Sequence, residues 1–221
     1  MTQHSQTPTG VQELFAQLES DQPTPDGDAS EDGRSRRRHL NREKVIRALI
    51  DLIREGDLKP TVDKIADRAA LSHRSVFRYF DDLNDLARAA FETEFRDALP
   101  LAVVEDIGVG ALDDRIDRLV VAQLRTLQRT HLLGLVARSR AADIEAIEVG
   151  QRKIYGLRLD QITRHFAPEL HAMPTPRAEA IASSIAVMTW LDSYDVQVRT
   201  ARRSPNEIAE LWKITLRALL T

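Results

Sequence analysis

From Asn41 to the end of the chain, apolar residues recur three and four positions apart, and alternating β-branched runs and hairpin dipeptides are absent. A spacing of three and four buries one stripe of a helix, whereas a half-buried strand needs a period of two. The chain is therefore expected to be all-α. A first helix starts near Asn41, turns Val45, Ile46, Leu49, Ile50, Leu52 and Ile53 inward, and stops at Gly56. Thr61 can cap a second helix that buries Ile65, Ala66 and Ala69, and Ser72 a third over His73 to Phe80. Asp81 or Asp82 opens a fourth, expected to end near Leu99 because Pro100 lacks the N–H to continue it. Amphipathic stretches follow at about 113–129, 131–139, 143–166, 176–199 and 205–220. Thr175-Pro176 marks one of these starts, and Ser204-Pro205-Asn206-Glu207 marks another with the Glu of a capping box.

The formal net charge of -3 conceals an uneven distribution. Residues 1–33 carry acidic side chains and no Lys or Arg, whereas residues 34–90 hold an excess of Lys and Arg. A basic block between an acidic tail and a nearly neutral body suggests a polyanion-binding surface. Residues 1–10 and 19–39 are rich in Ser, Thr, Gln, Pro, Gly and charge, a composition that favours disorder. Between them Val11, Leu14, Phe15 and Leu18 have the spacing of one short helix. The expected organisation is a disordered extension over 1–40, a small helical domain over 41–86 and a larger one over 87–221. The absence of cysteine excludes disulfides and thiolate chemistry. With no run of about 20 apolar residues and no signal-peptide pattern, the chain is expected in the cytoplasm, away from membranes.

The segment TVDKIADRAALSHRSVFRYFDDLNDLARAAF, residues 61–91, carries the most chemistry. It reads as two short helices joined at Ala69-Ala70-Leu71-Ser72, packed through Ile65, Ala66, Ala69, Leu71, Val76, Phe77 and Phe80. That packing leaves His73, Arg74, Ser75, Arg78 and Tyr79 on the free side of the second helix. Arg can donate two bonds to guanine in the major groove, and His, Ser and Tyr can reach base edges or phosphates. Thr61 and Ser72 would supplement the N–H groups of their helix ends towards phosphate. Phe77 suits the core, and could also touch a thymine methyl. Ahead of this segment, Arg36, Arg37, Arg38 and Arg42 could follow a phosphate strand, or enter the minor groove as N-terminal arms do.

Residues 42–91 resemble the DNA-binding domain of the TetR family of bacterial transcriptional regulators. The family's Ile-Ala, Ala-Gly-Val-Ser and Tyr-x-x-Phe runs correspond to Ile65-Ala66, Ala69-Ala70-Leu71-Ser72 and Phe77-Arg78-Tyr79-Phe80, followed by Leu83 and Leu86. Ala70 stands where the family has a turn glycine, Phe77 lacks a tyrosine hydroxyl, and Leu83 replaces a phosphate-contacting lysine. The resemblance implies a three-helix DNA-binding domain followed by a helical ligand-binding and dimerisation domain. It implies a homodimer on a palindromic DNA operator, acting as a repressor released by a small-molecule effector.

In the larger domain Arg125, Gln128, His131, Arg138, Tyr155, Trp190 and Tyr194 are polar or amphipathic groups on largely apolar helices. They could line an effector cavity, or equally serve as rim and helix-end groups. Ile181, Ile185, Met188 and Leu191, with Leu211 and Ile214, form two apolar stripes. The resemblance implies that these stripes build a four-helix dimer interface, although they could also close the monomer's own core. The six histidines lack ligand spacing, so no metal site is expected. No catalytic arrangement or phosphate loop is legible, so neither a cofactor nor enzymatic activity is expected. The alternatives are an all-α enzyme acting on an apolar substrate, or a helical protein-binding adaptor, each without DNA binding.

Overall fold

A computed structural model describes residues 29–221, and these form helices and connecting turns with no strand among them. The short helix expected around Val11 to Leu18 lies outside the described residues. Helix α1 spans Ala29–Arg54, α2 Val62–Arg68, α3 His73–Val76 and α4 Leu83–Ala102. Helix α5 spans Leu112–Arg140, α6 Glu145–His165, α7 Ala167–His171 and α8 Thr175–Met188. A short α9, Leu191–Asp195, runs into a π-helical turn, Val196–Thr200, and α10, Pro205–Leu220, closes the chain. The chain divides into two compact units between Arg96 and Asp97, inside α4, later than the boundary expected after residue 86. Among the described residues no helix is long and apolar enough to cross a membrane.

The first unit is built on the buried face of α1, where Val45, Ile46, Leu49, Ile50, Leu52 and Ile53 are all removed from solvent. Each such side chain contributes roughly 1.5–3 kcal/mol on burial. Helix α1 begins at Ala29 rather than at Asn41, so residues 29–40 are helical where disorder was expected. Helix growth adds one hydrogen bond per residue once a nucleus exists, and the Arg-rich run is made of good helix formers. Arg54 at the end of α1 pairs with the buried Glu94 of α4 at 2.5 Å.

In the second unit α5 and α10 run antiparallel, with Lys213 on Asp117 at 3.0 Å and Arg217 on Asp113 at 2.8 Å. Between them and α6 and α8 lie Ile116, Leu119, Ile162, Phe166, Ile185, Trp212 and Leu216, all fully buried. A polar knot sits within this core. The Arg115 guanidinium donates to Glu169 at 2.7 Å, to the His165 carbonyl at 2.9 Å and to the Gly110 carbonyl at 3.2 Å. His165 in turn lies 2.8 Å through Nε2 from the Arg115 carbonyl, which makes Nε2–H the donor and leaves Nδ1 to accept from the Gly108 N–H at 3.3 Å.

Several element ends differ from expectation. Pro100 lies inside α4, which continues to Ala102, where the Gln161 amide takes the Ala102 carbonyl and the Val104 N–H. Helix α5 is continuous where a break near Thr130 was expected. The Thr126 and Thr130 hydroxyls bond back to carbonyls four residues earlier, so neither serves as the cap of a new helix. The single helix expected over 176–199 is broken at Thr189, and Thr175 supplies no side-chain cap to α8. The capping box of α10 forms as the sequence implies, between Ser204 and Glu207.

Candidate nucleic-acid interface

The helix-turn-helix is specified by its two caps and the turn between them. The Thr61 hydroxyl accepts from the Lys64 N–H at 3.3 Å, and the Ser72 hydroxyl from the Ser75 N–H at 3.2 Å. At the end of α2 the Ala70 N–H bonds to the Asp67 carbonyl and the Leu71 N–H to the Ala66 carbonyl. This is a Schellman motif, which sets one residue in the left-handed region. That residue is Ala70, at φ +54°. The chain therefore accepts the strain of an alanine at a position that favours glycine.

Helix α3 ends at Val76, earlier than the expected Phe80, but helical turns carry on, with the Phe80 N–H on the Val76 carbonyl at 3.2 Å. The expected packing set Phe77 inward and Tyr79 on the free side, although Val76, Tyr79 and Phe80 stand at i, i+3 and i+4 on one helical stripe. Instead Phe77 is 45 % exposed, with its ring 5.4 Å from that of His73. Tyr79 is buried, a correction to its expected place on the free side. Its hydroxyl receives Arg78 at 2.6 Å and Asn41 at 3.2 Å. Burial raises the Tyr79 phenol, but these hydrogen bonds, with the charges of Arg78 and Arg38, bring it below its ordinary value. Phe80 is buried in the core, beneath the Arg42 guanidinium at 4.9 Å.

Among the remaining expected contacts, Thr61, Ser72, His73, Arg74 and Arg78 are exposed and Ser75 is partly so. His73 is held by Asp63 of α2 at 2.6 Å, and the Ser72 and Ser75 hydroxyls share a bond at 2.8 Å. Arg68 and Lys64 are engaged by Glu55 and Asp57 at 2.7 and 2.6 Å. Arg36, Arg37 and Arg38 are exposed along α1. Asn41, which the sequence did not single out, turns that helix towards α3 by reaching Tyr79. Arg34, Arg37 and Arg38 precede Asn41 by seven, four and three residues, so they continue its face beyond the core. Among the described residues neither these arginines nor Arg74 has an acidic partner.

No known family profile matches this sequence, and neither does any curated protein. Solved structures do. A transcriptional regulator from Rhodococcus sp. Rha1 superposes with a TM-score of 0.64 at 21 % identity, over 81 % of this chain and 95 % of that one. The fatty acid degradation regulator FadR from Bacillus halodurans gives a TM-score of 0.55 at 16 % identity, over 81 % and 94 %. This chain shares their fold. A protein assigned as a transcriptional regulator from Pseudomonas aeruginosa PAO1 gives 0.59 at 18 % identity, over 80 % and 89 %.

The expected effector groups meet in two pairs, and the others have separate partners. Arg125 bonds to the Leu101 carbonyl, Arg138 to Asp192, and His131 to Asp195 at 2.8 Å with its ring edge-on to the buried Tyr194. Gln128 is exposed. Tyr155 and Trp190 do meet, edge-on at 5.7 Å. Of the expected interface residues, Ile181 and Ile185 are corrected to core positions, because both lie buried in the core of the second unit. Leu191 packs on Gly134, so closely that a Cβ there would come within 2.9 Å of it. Met188 and Leu211 are partly buried, whereas Ile214 is 63 % and Val187 59 % exposed.

Proposed function

We propose that the protein is a dimeric, sequence-specific DNA-binding transcriptional regulator of the TetR kind, with an effector site in its second unit. One observation carries this reading: a doubly capped helix-turn-helix presents Arg74, and α1 of the same unit carries a run of exposed arginines, all without acidic partners among the described residues. Cations kept free of carboxylates on one face suit a polyanion. The fold shared with solved regulators supports the same reading.

In this reading α3 enters the major groove, where Arg74 and Arg78 address base edges and His73 joins them on leaving Asp63. The α1 arginines hold phosphates and fix the register. A dimer would set two recognition helices about 34 Å apart on a palindrome. The exposed Ile214 and Val187 on α10 and α8 suit that dimer better than the buried Ile181 and Ile185. The N-terminal part of α4 belongs to the first unit and its end to the second. An effector that holds one arrangement of α4 more tightly would release the operator and relieve repression, and bound operator would weaken effector binding by the same factor.

The test is selection of bound sequences from a random duplex library at two salt concentrations. An enriched palindrome is the expected result, and its half-site spacing reports the separation of the recognition helices. Absence of enrichment at both concentrations refutes sequence-specific binding.

A further inference from the structure

The second unit contains a partly buried arginine that, among the described residues, no carboxylate answers. Arg158 on α6 reaches the break after α8, where its Nη2 donates to the Thr189 hydroxyl oxygen at 2.5 Å and to the Thr189 carbonyl. Its Nε is sealed from solvent and has no hydrogen-bond partner. The guanidinium carbon lies 5.5 Å from the centre of the Trp190 ring, which Tyr155 meets edge-on. Burial pushes the guanidinium down to about 9, and the Tyr155 phenol is the group that opposes this.

Arg115 supplies the contrast within the same unit. It is the more deeply buried of the two, but Glu169 and two carbonyls satisfy its fork. An uncompensated buried charge is among the more destabilising features a fold can hold. Capping the carbonyl of Thr189 would occupy one nitrogen and could be done by a neutral side chain. The Nε–H is left as a sealed donor with nothing to receive it among the described residues.

We propose that Arg158 is the anion-recognising group of the effector site, and that the effector bears a carboxylate on a flat apolar body. A carboxylate accepts two parallel bonds from a guanidinium, a match that an ammonium cannot reproduce. The Trp190 and Tyr155 rings beside it supply an apolar surface for the remainder of the molecule. This rests on the reading of the second unit as ligand-binding, and names the ligand's class. Arg138, His131 and Arg125 are already held by Asp192, Asp195 and the Leu101 carbonyl. Arg118 also keeps an unpartnered Nε, but of the two it is Arg158 that lies against aromatic rings.

Benzoate and benzamide are the probes, added to the full chain without DNA while thermal unfolding and tryptophan fluorescence are followed, with sodium chloride at equal ionic strength as control. Benzoate at a hundredfold excess over its Kd should raise Tm by roughly 5–10 °C, and benzamide should have no such effect. Arg158→Gln should weaken benzoate binding roughly 10- to 100-fold, with Arg158→Lys between the two. If Arg158→Gln fails to fold, the lysine variant decides, because loss of the fork must still narrow the gap between benzoate and benzamide. Equal responses to the two probes, no response to benzoate beyond that to chloride, or full benzoate binding by a folded variant would each overturn the proposal. A selected palindrome without a benzoate response would refute the effector class and leave the regulator standing. A benzoate response that depends on Arg158, without any selected palindrome, would do the reverse.

Discussion

Ala70→Gly should stabilise the first unit, and Gly56→Ala should destabilise it. The two positions are equivalent in kind. At the end of α1 the Gly56 N–H bonds to the Ile53 carbonyl and the Asp57 N–H to that of Leu52, the same Schellman pattern that closes α2 at Ala70. Gly56 sits at φ +100° and Ala70 at φ +54°. An L side chain in the left-handed region costs about 1–2 kcal/mol. Glycine offsets part of that gain through the roughly 0.4–1 kcal/mol of extra chain freedom it loses on folding. The net gain for Ala70→Gly is therefore on the order of 0.5–1 kcal/mol, a rise of roughly 2–8 °C in Tm for a domain of this size. Gly56→Ala should lose at least as much, because φ +100° lies beyond the left-handed well open to alanine. A Cβ at Gly56 would meet nothing within 4 Å, so its whole effect comes from the backbone. Calorimetry on the full chain, checked against urea midpoints at unchanged slope, reads both variants. A neutral or destabilising Ala70→Gly would refute the strain argument, and a neutral Gly56→Ala would refute the equivalence of the two turns.

Four further outcomes are expected. Acid should destabilise the second unit in two steps, read as urea midpoints from neutral pH downwards. Burial lowers the His165 pKa in the fold, so stability present above the unfolded value of about 6.5 drains as pH falls towards the folded value; Arg115 lowers that of Glu169, whose contribution is lost below about 4.3. Arg115→Met strips Glu169 and two carbonyls of their donor and should cost about 3–5 kcal/mol in denaturant unfolding. Alanine at Arg36, Arg37 or Arg38 should reduce the slope of log K against log salt by about 0.9 for each phosphate left without its cation, whereas Arg74→Ala should relax sequence preference by about 1–3 kcal/mol in competition binding. Ile214→Glu should shift a dimer towards monomer in sedimentation with the fold intact, whereas Ile185→Ala should cost about 2–5 kcal/mol of stability.

What the sequence made legible is what local chemistry decides. Thr61, Ser72 and Ser204 cap the helices they precede because a hydroxyl three residues ahead of a free N–H needs no distant partner. The ends it misplaced depend on residues far along the chain. Pro100 sits within α4 where Gln161 receives the helix end, and α8 stops at a Thr189 whose carbonyl Arg158 takes. On the interface, Tyr79 rather than Phe77 joins Val76 and Phe80 on the buried stripe, which the i, i+3, i+4 spacing from Val76 already offered. Arg158 carried no signal, because an arginine on an amphipathic helix is ordinarily solvated, and only the tertiary packing shows that this one is not.

The helical state of residues 29–40 restricts the way the arginine run can meet a duplex. An extended arm can thread a minor groove about 6 Å wide. A helix with its side chains is about 10–12 Å across and cannot. As a rod, this part of α1 reaches only the sugar–phosphate rim, where every sequence offers the same charges. Its arginines would then raise affinity equally for operator and bulk DNA, favouring one-dimensional sliding during target search and leaving A·T content beside the operator unread.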